Sequence, residues 1–362
     1  MDRAELQERV KSGELLSGLD CSGANLGEVD LAGGIFENCT FAGAMLDDAK
    51  LSEGTFSNCD FSGVSARGSA WRHATLQGCT ARALSLEKAA LPVMRVFGGE
   101  FTGVNFSGAE LLAAAFAKVN LRMCNFSKAN LDRTQFIEVE FDGAKFTAAT
   151  MKHTVMLGAD LRQCDLRGTK LDTVVLVKGN LAGMDLSGMD LELCQFMDAD
   201  MTGVNLSDAN LTQCNFKSTK LAFAKLDGAR APRAMFAQAN LERASLTKLK
   251  AREALFAEAS ATHANFSGAD LQMSVFLRAS CTHARFKDAD LTYAELSHAD
   301  LSHADFSGAT VYRARIHRIK EDGASFGPSK LTAFGTDPDI AEAEDWQASP
   351  ASGQAAESRP KA

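Results

Sequence analysis

His263, His283 and His303 stand twenty residues apart, and His298 stands five before the last of them. Imidazoles in such a series could do two kinds of chemistry. They could ligate a metal ion, or they could collect protons below about pH 6.5. Ligation needs nitrogens converging about 2 Å from one ion. Three rings in a straight ladder cannot converge, so the spacing points to a solvated, titrating ladder and no metal is expected. The nine cysteines are the other reactive set. Seven of them, Cys39, Cys59, Cys79, Cys124, Cys164, Cys194 and Cys214, fall on one phase of a five-residue beat, and no C-x-x-C pair occurs. An odd count behind an N-terminus without an apolar stretch points to reduced thiols in a cytoplasm. Nucleophile elbows, phosphate loops and zinc-protease motifs are missing from the sequence. No enzyme, catalytic residue or cofactor is expected.

Both sets are spaced by fives and twenties, so the element that carries them must share that beat. Stepping by five from Leu16 to Ile316 gives 61 positions, and every one is apolar. Two residues before each centre lies a second series, and thirty of its 61 members are alanine. Five matches neither the helical period of 3.6 nor the strand period of 2. A longer period organises it. The column Phe36, Phe56, Phe116, Phe136, Phe196, Phe216, Phe236, Phe256, Phe276 keeps its chemistry at multiples of twenty, while the column from Leu31 holds no phenylalanine. Residue n therefore lies above residue n−20, and four pentapeptides make one turn of a four-sided coil.

Such coils stack like parallel β-strands about 4.8 Å apart. The fold expected is all-β, a quadrilateral parallel β-helix of about 15 coils of 20 residues. Each side points one large and one small residue inward, and cysteine in the small slot acts as a small hydrophobe. Leu84, Met94, Met184, Met189 and Leu249 are too large for that slot and should strain or widen their coils. The chain divides into an N-terminal capping helix at 1–13, a solenoid at 14–316, a C-terminal cap at 317–334 and a disordered acidic tail at 335–362.

The phrases "ANLDRTQF", "ADLRQCDL" and "ADLTYAELSHADLSHADF" follow the A(D/N)LXX pattern and resemble the pentapeptide-repeat family over residues 14–316. The resemblance implies a right-handed coil and a mostly non-enzymatic role, with some members binding DNA gyrase by imitating duplex DNA. "LSHADFSGATVYRARIHRIKEDG" further resembles pentapeptide segments of accessory proteins of bacterial type VI secretion, which implies an adaptor that helps load an effector.

Charge supplies the candidate sites. Residues 14–62 hold nine acidic residues against Lys50 alone. A basic collar follows, with Arg67, Arg72, Arg82, Lys88 and Arg95, and Trp71 and Pro92 lie within it. Its centres Ala66, Trp71 and Ala81 are the weakest of the repeat, so this stretch is expected to be simply a worn repeat or else to form a distorted contact patch, as a kinked coil or an extruded loop. A second belt at 217–253 has nine basic and three acidic residues and includes Lys248, Lys250 and Arg252. In the tail, "DPDIAEAEDW" reads as a short acidic helix capped by Asp337 or Asp339, presenting Ile340 and Trp346 to a partner. Residues 1–316 carry 38 acidic and 33 basic side chains, too balanced for a continuous phosphate-like surface. The sequence is therefore read first as a rigid cytoplasmic scaffold for a protein partner, and second as a gyrase-directed DNA mimic. Neither a membrane nor nucleic acid is expected as partner, and two copies would meet through the end coils, where strand edges are exposed.

Overall fold

A computed structural model describes residues 3–346. The chain winds as a four-walled solenoid of about sixteen turns, because parallel pairing continues past Ile316 to Ser325–Phe326 and Phe334. The walls are named by their first centres: Leu16 begins the first, Cys21 the second, Leu26 the third and Leu31 the fourth. On the first wall, three-residue strands recur at steps of twenty, from Leu15–Ser17 and Ile35–Glu37 to Gln135–Ile137 and Val155–Leu157. The register is residue on residue, Phe36 over Leu16 and Phe56 over Phe36. The rings Phe196, Phe216, Phe236, Phe256 and Phe276 stack nearly parallel at 5.1, 4.9, 4.9 and 4.6 Å.

The sequence phrase maps onto this geometry residue by residue. The large centre and the small residue two before it face inward. The Asp or Asn before the centre accepts a hydrogen bond from the N–H two residues on, as Asp60 does from Ser62 and Asn125 from Ser127, which shapes the corner. The residue two after the centre has positive φ at nearly every corner, in His263, His283 and His303 as in Gly183. For a non-glycine residue that conformation costs about 1 kcal/mol, which the ladder on either side offsets. Threonine or cysteine in the small slot donates to a carbonyl 23 residues back, as Thr134 does to Leu111 at 2.8 Å and Cys124 to Phe101 at 3.0 Å. Among the described residues no buried side-chain nitrogen or oxygen lacks a partner.

Helix α1 (Arg3–Lys11) covers the first coil, burying Leu6 and Val10. At the far end a 3₁₀ turn at Pro328–Thr332 leads to helix α2 (Pro338–Asp345). That helix lies inside the segment whose composition reads as a disordered tail. It forms because Asp337 caps it, accepting from Asp339 and Ile340, and because its acidic end is held by the last coils. The rest of that segment, 347–362, lies outside the described residues.

The stretch 63–99 forms neither a loop nor a distorted coil: Ser65 pairs with Ser85, Ala70 with Ala90 and Thr80 with Glu100. Pro92 sits just after its centre, a position whose N–H makes no backbone hydrogen bond between coils on the neighbouring rows, and its carbonyl accepts from His73. Trp71 is fully buried against Phe56 and Phe61, and its Nε1 donates to Ser69 Oγ at 2.8 Å. The small centres Ala66 and Ala81 offset the volume of the indole.

The interruption lies elsewhere. No pairing joins Asp165 to Asp185 or Lys170 to Asp190, so rows 165–173 and 185–193 part on the third and fourth walls. Pairing between 140 and 160 on the second wall is also missing. The first and second walls stay joined beside the crevice through Val155 with Val175 and Asp160 with Asn180. Met184 and Met189, at consecutive small slots, line a cavity of about 530 Å³ along it, and Met189 also lines a second of about 670 Å³. Leu84 and Leu249 are equally oversized yet break nothing, because the adjacent centres Ala81 and Ala251 are small. Leu181, Leu186 and Leu191 give the two methionines no such room. Met94 is also absorbed without a gap.

Candidate functional site

The coiling distributes the basic collar around the rod. Arg95 projects from the first wall, Arg82 from the second, Arg67 from the third, Arg72 from the fourth, and Lys88 from the corner after the third. Arg67 is paired with Glu87 at 3.1 Å. These five side chains form a ring, with no single face that gathers them. Trp71, expected beside them at the surface, is inside the core. It is positioned by packing and offers no contact to a partner.

The second belt does produce a patch. Arg230 pairs directly with Lys250 on the fourth wall, Arg252 follows Lys250 on the same row, and Arg233 occupies the adjoining corner. All four are exposed. Arg233 Nε donates to Glu253 at 2.9 Å, while Lys248 stands at the corner after the third wall. Asp190 and Glu192 lie two rows before this cluster, and Asp270 and Asp290 on the rows after it. The patch is thus a local cation cluster between acidic rows, suited to an acidic protein surface. Arg230 and Arg233 are not among the individual candidates of the sequence reading, although Arg230 and Lys250 are twenty apart.

The most elaborate side-chain arrangement holds α2 to the last coils. Glu344 Oε1 lies 3.1 Å from His298 Nε2, and its Oε2 lies 3.2 Å from His317 Nε2 and 3.3 Å from Arg318 Nε. Arg318 also donates to the Asp345 carboxylate and to the Ala341 carbonyl, the latter at 2.7 Å. Burial pushes the Glu344 carboxyl up, but hydrogen bonds from His317 and His298 outweigh it and hold the group below its ordinary value. The hydrogen bond from Arg318 does the same for Asp345.

Two imidazoles and a carboxylate whose ligand atoms lie within 4.8 Å of one another resemble a metal centre. The hydrogen bonds say otherwise. His317 Nδ1 accepts from the Asp337 N–H at 3.1 Å, which leaves the ring proton on Nε2, facing Glu344. A metal-bound imidazole instead donates its second N–H outward. Arg318 places a fixed cation on the same carboxylate. The cluster is a clasp. Between α2 and the coils lies a cavity of about 730 Å³, lined by Leu277, Arg278, Arg315, Phe334, Ile340 and their neighbours. Ile340 and Trp346 remain 49% and 74% exposed, so both are available at the surface.

The remaining reactive sets are structural in their geometry. His263, His283 and His303 stack with centroids 4.8 Å apart and planes within 14°, which does not direct three nitrogens at one point. Burial pushes the thiols of Cys124, Cys164, Cys194 and Cys281 up to about 12, so they are not nucleophiles at neutral pH.

Comparison with known proteins bears on most of the chain. The family model described as pentapeptide repeats (8 copies) matches residues 20–58, 176–213, 194–230, 214–248, 239–276 and 278–318, and a second, described as a pentapeptide repeat region, matches 99–176. No curated protein sequence matches the chain. Among solved structures, it is similar to HetL, a pentapeptide repeat protein involved in heterocyst differentiation regulation from the cyanobacterium Nostoc sp. strain PCC 7120, at 22% identity and a TM-score of 0.28, over 65% of this chain and 88% of that one. It is also similar to QnrB1, a plasmid-mediated fluoroquinolone resistance protein, at 20% identity and a TM-score of 0.38, over 54% of this chain and 91% of that one. A pentapeptide repeat protein from the Arabidopsis thaliana thylakoid lumen matches at 20% identity and a TM-score of 0.16, over 43% of this chain and 81% of that one.

Proposed function

Starting from the fact that this chain belongs to the pentapeptide-repeat family, we propose that it is a non-enzymatic, rigid scaffold or adaptor for protein–protein interaction. The observation that supports this best is the filled interior. The inward centres are packed from Leu16 to Ile316, and cavities of about 730, 530 and 670 Å³ open at the surface, under α2 and along the crevice. Chemistry needs a pocket that converges several polar groups. The walls of this rod offer instead fixed charge at fixed spacing. No described helix is long and apolar enough to cross a membrane.

The partner site favoured is the fourth-wall cation cluster, and the partner is an acidic protein surface in a bacterial cytoplasm. The C-terminal phrasing supports a finer assignment, an adaptor in effector loading for type VI secretion. Affinity purification of the tagged chain from its host tests the reading. A stable partner lost on Arg230→Glu, Lys250→Glu, Arg252→Glu supports it, with the rod still folded by circular dichroism. Absence of any copurifying protein, or a partner indifferent to the triple change, sinks it. The acidic coils at 14–62 support the second reading, a DNA mimic acting on gyrase. Unchanged supercoiling by purified gyrase at micromolar protein rejects that one.

A further inference from the structure

The first wall differs from the other three on its outward face. From Arg95 to Leu277 it presents ten rows, with two outward residues on each row flanking the buried centre. Fifteen of these twenty residues are apolar, among them Phe97, Ile137, Leu157, Val177, Leu255 and Leu277. The same rows of the third wall hold none, and those of the second hold only Ala182 and Ala222. The stripe is accessible, with Phe97 51% and Leu157 39% exposed. The only ionised outward residues within it are Arg95 and Lys217. Polar rows bound it, Thr55 to Gln77 on one side and Glu295 to His317 on the other. Helix α2 reaches only its last row, at Leu277.

The geometry points to a second copy of this chain as the occupant, packed wall to wall along these ten rows. Ten rows at about 4.8 Å give a stripe about 45 Å long, and three extended residues give it a width of about 10 Å. That is roughly 450 Å² per copy, within the range of functional apolar patches on soluble proteins. Two copies together bury roughly 900 Å², below the range of stable specific interfaces and in that of weak, transient ones, which suits a micromolar dimer. Spacing selects the partner. The wall repeats rigidly at about 4.8 Å, whereas a helix repeats at about 5.4 Å per turn and drifts half a row out of step after about four turns. An identical wall keeps step over all ten rows. The end coils compete poorly for this role, since α1 covers one end and the 3₁₀ turn with α2 follows the other. The dimer does not depend on the scaffold reading, because it needs no other partner.

Sedimentation velocity of the full chain from about 1 to about 200 µM tests it. A monomer–dimer equilibrium is expected, with a dissociation constant in the micromolar range. Leu157→Glu with Val177→Glu should weaken it by roughly a hundredfold, because each change buries an unpaired carboxylate in the interface. Leu157→Thr with Val177→Thr, which places a strand-forming β-branched residue at both positions, should weaken it by roughly tenfold. Circular dichroism and thermal melting check that both variants fold. A chain that stays monomeric at about 200 µM overturns the proposal. So does a dimer whose affinity both wall variants leave unchanged, or one abolished only by Leu331→Glu at the C-terminal end.

Discussion

Replacing Met184 and Met189 together by alanine is expected to stabilise the solenoid, although it removes two large apolar side chains. On an intact wall three backbone hydrogen bonds join neighbouring rows. Between 186 and 205 they run from Leu186 N to Asn205 O, from Gly188 N to Ser207 O and from Asn205 N to Met184 O. Their equivalents across the crevice are absent on two walls, leaving the N–H groups of Leu166, Gly168, Asp185, Leu171, Thr173 and Asp190 without a partner on the facing row. At a net value of about 1 kcal/mol each, closing the rows returns up to about 6 kcal/mol. Against this, a fully buried methionine loses about 2–5 kcal/mol on truncation to alanine. Both methionines here are only partly buried, so the pair forfeits roughly 2–4 kcal/mol. The balance favours the variant by about 2–4 kcal/mol. Urea unfolding measures the sum. Hydrogen exchange of peptides covering 163–193 localises it, since repeats couple mainly to their neighbours. Destabilisation by about 2 kcal/mol or more, with exchange of those six amides as fast as before, would refute the claim that the methionines hold the rows apart.

Three further outcomes are expected. Trp71→Ala should destabilise by about 3–5 kcal/mol in urea unfolding and Trp71→Leu by markedly less, because leucine fills this column elsewhere; equal effects would contradict the buried packing described. Glu344 and Asp345 have depressed values, so their contribution to the clasp is complete above the ordinary carboxylate range near pH 4 and is lost as pH falls through the lowered values. Helix α2 should therefore stay docked down to about pH 4 and release below it, and Trp346 emission that is flat down to about pH 3 would count against this. Asp337→Ala should loosen the same helix by about 1 kcal/mol through loss of its cap. The thiols of Cys124, Cys194 and Cys281 should resist alkylation at about pH 8 until the rod unfolds, because burial both hides them and holds them protonated; fast labelling of the native chain at these three positions would show the opposite.

The fold was legible because its signal is additive. Each of 61 centres repeats the same choice, and columns at twenty reveal which residues stack. Local exceptions were harder to read, because their consequence depends on neighbours in the coil. Trp71 looks too large for its slot until Ala66 and Ala81 are counted as its surroundings. Pro92 looks disruptive until the corner geometry shows that its missing N–H is one the ladder does not use. Met184 and Met189 have no such compensation, and there the oversized residue does part the rows. The charged zones failed differently. Counting along the chain finds the collar, but a linear window of twenty residues goes once around the rod, so it scatters Arg67, Arg72 and Arg82 over three walls. Charges share a face when they flank one centre, as Lys250 and Arg252 do, or lie twenty apart, as Arg230 and Lys250 do.

That distinction separates what this sequence spends on folding from what it leaves free. The inward series fixes the coil, because neighbouring residues on a strand point to opposite faces and the ladder depends on backbone and core alone. Outward residues on the first wall are therefore not required to be apolar. The rows at Thr55 to Ser57 and Thr75 to Gln77 carry polar outward side chains and pair in the same register as the row at Arg95 to Phe97. Polar residues there would serve the fold equally well and would be better hydrated. An apolar stripe held for ten rows on one wall, beside three walls whose outward residues on those rows are almost all hydrophilic, thus answers to something outside the coil. Removing its hydrophobicity should leave the melting temperature of the rod almost unchanged while abolishing whatever docks on that wall. A drop in stability comparable to that of a core substitution would place the stripe back within the requirements of folding.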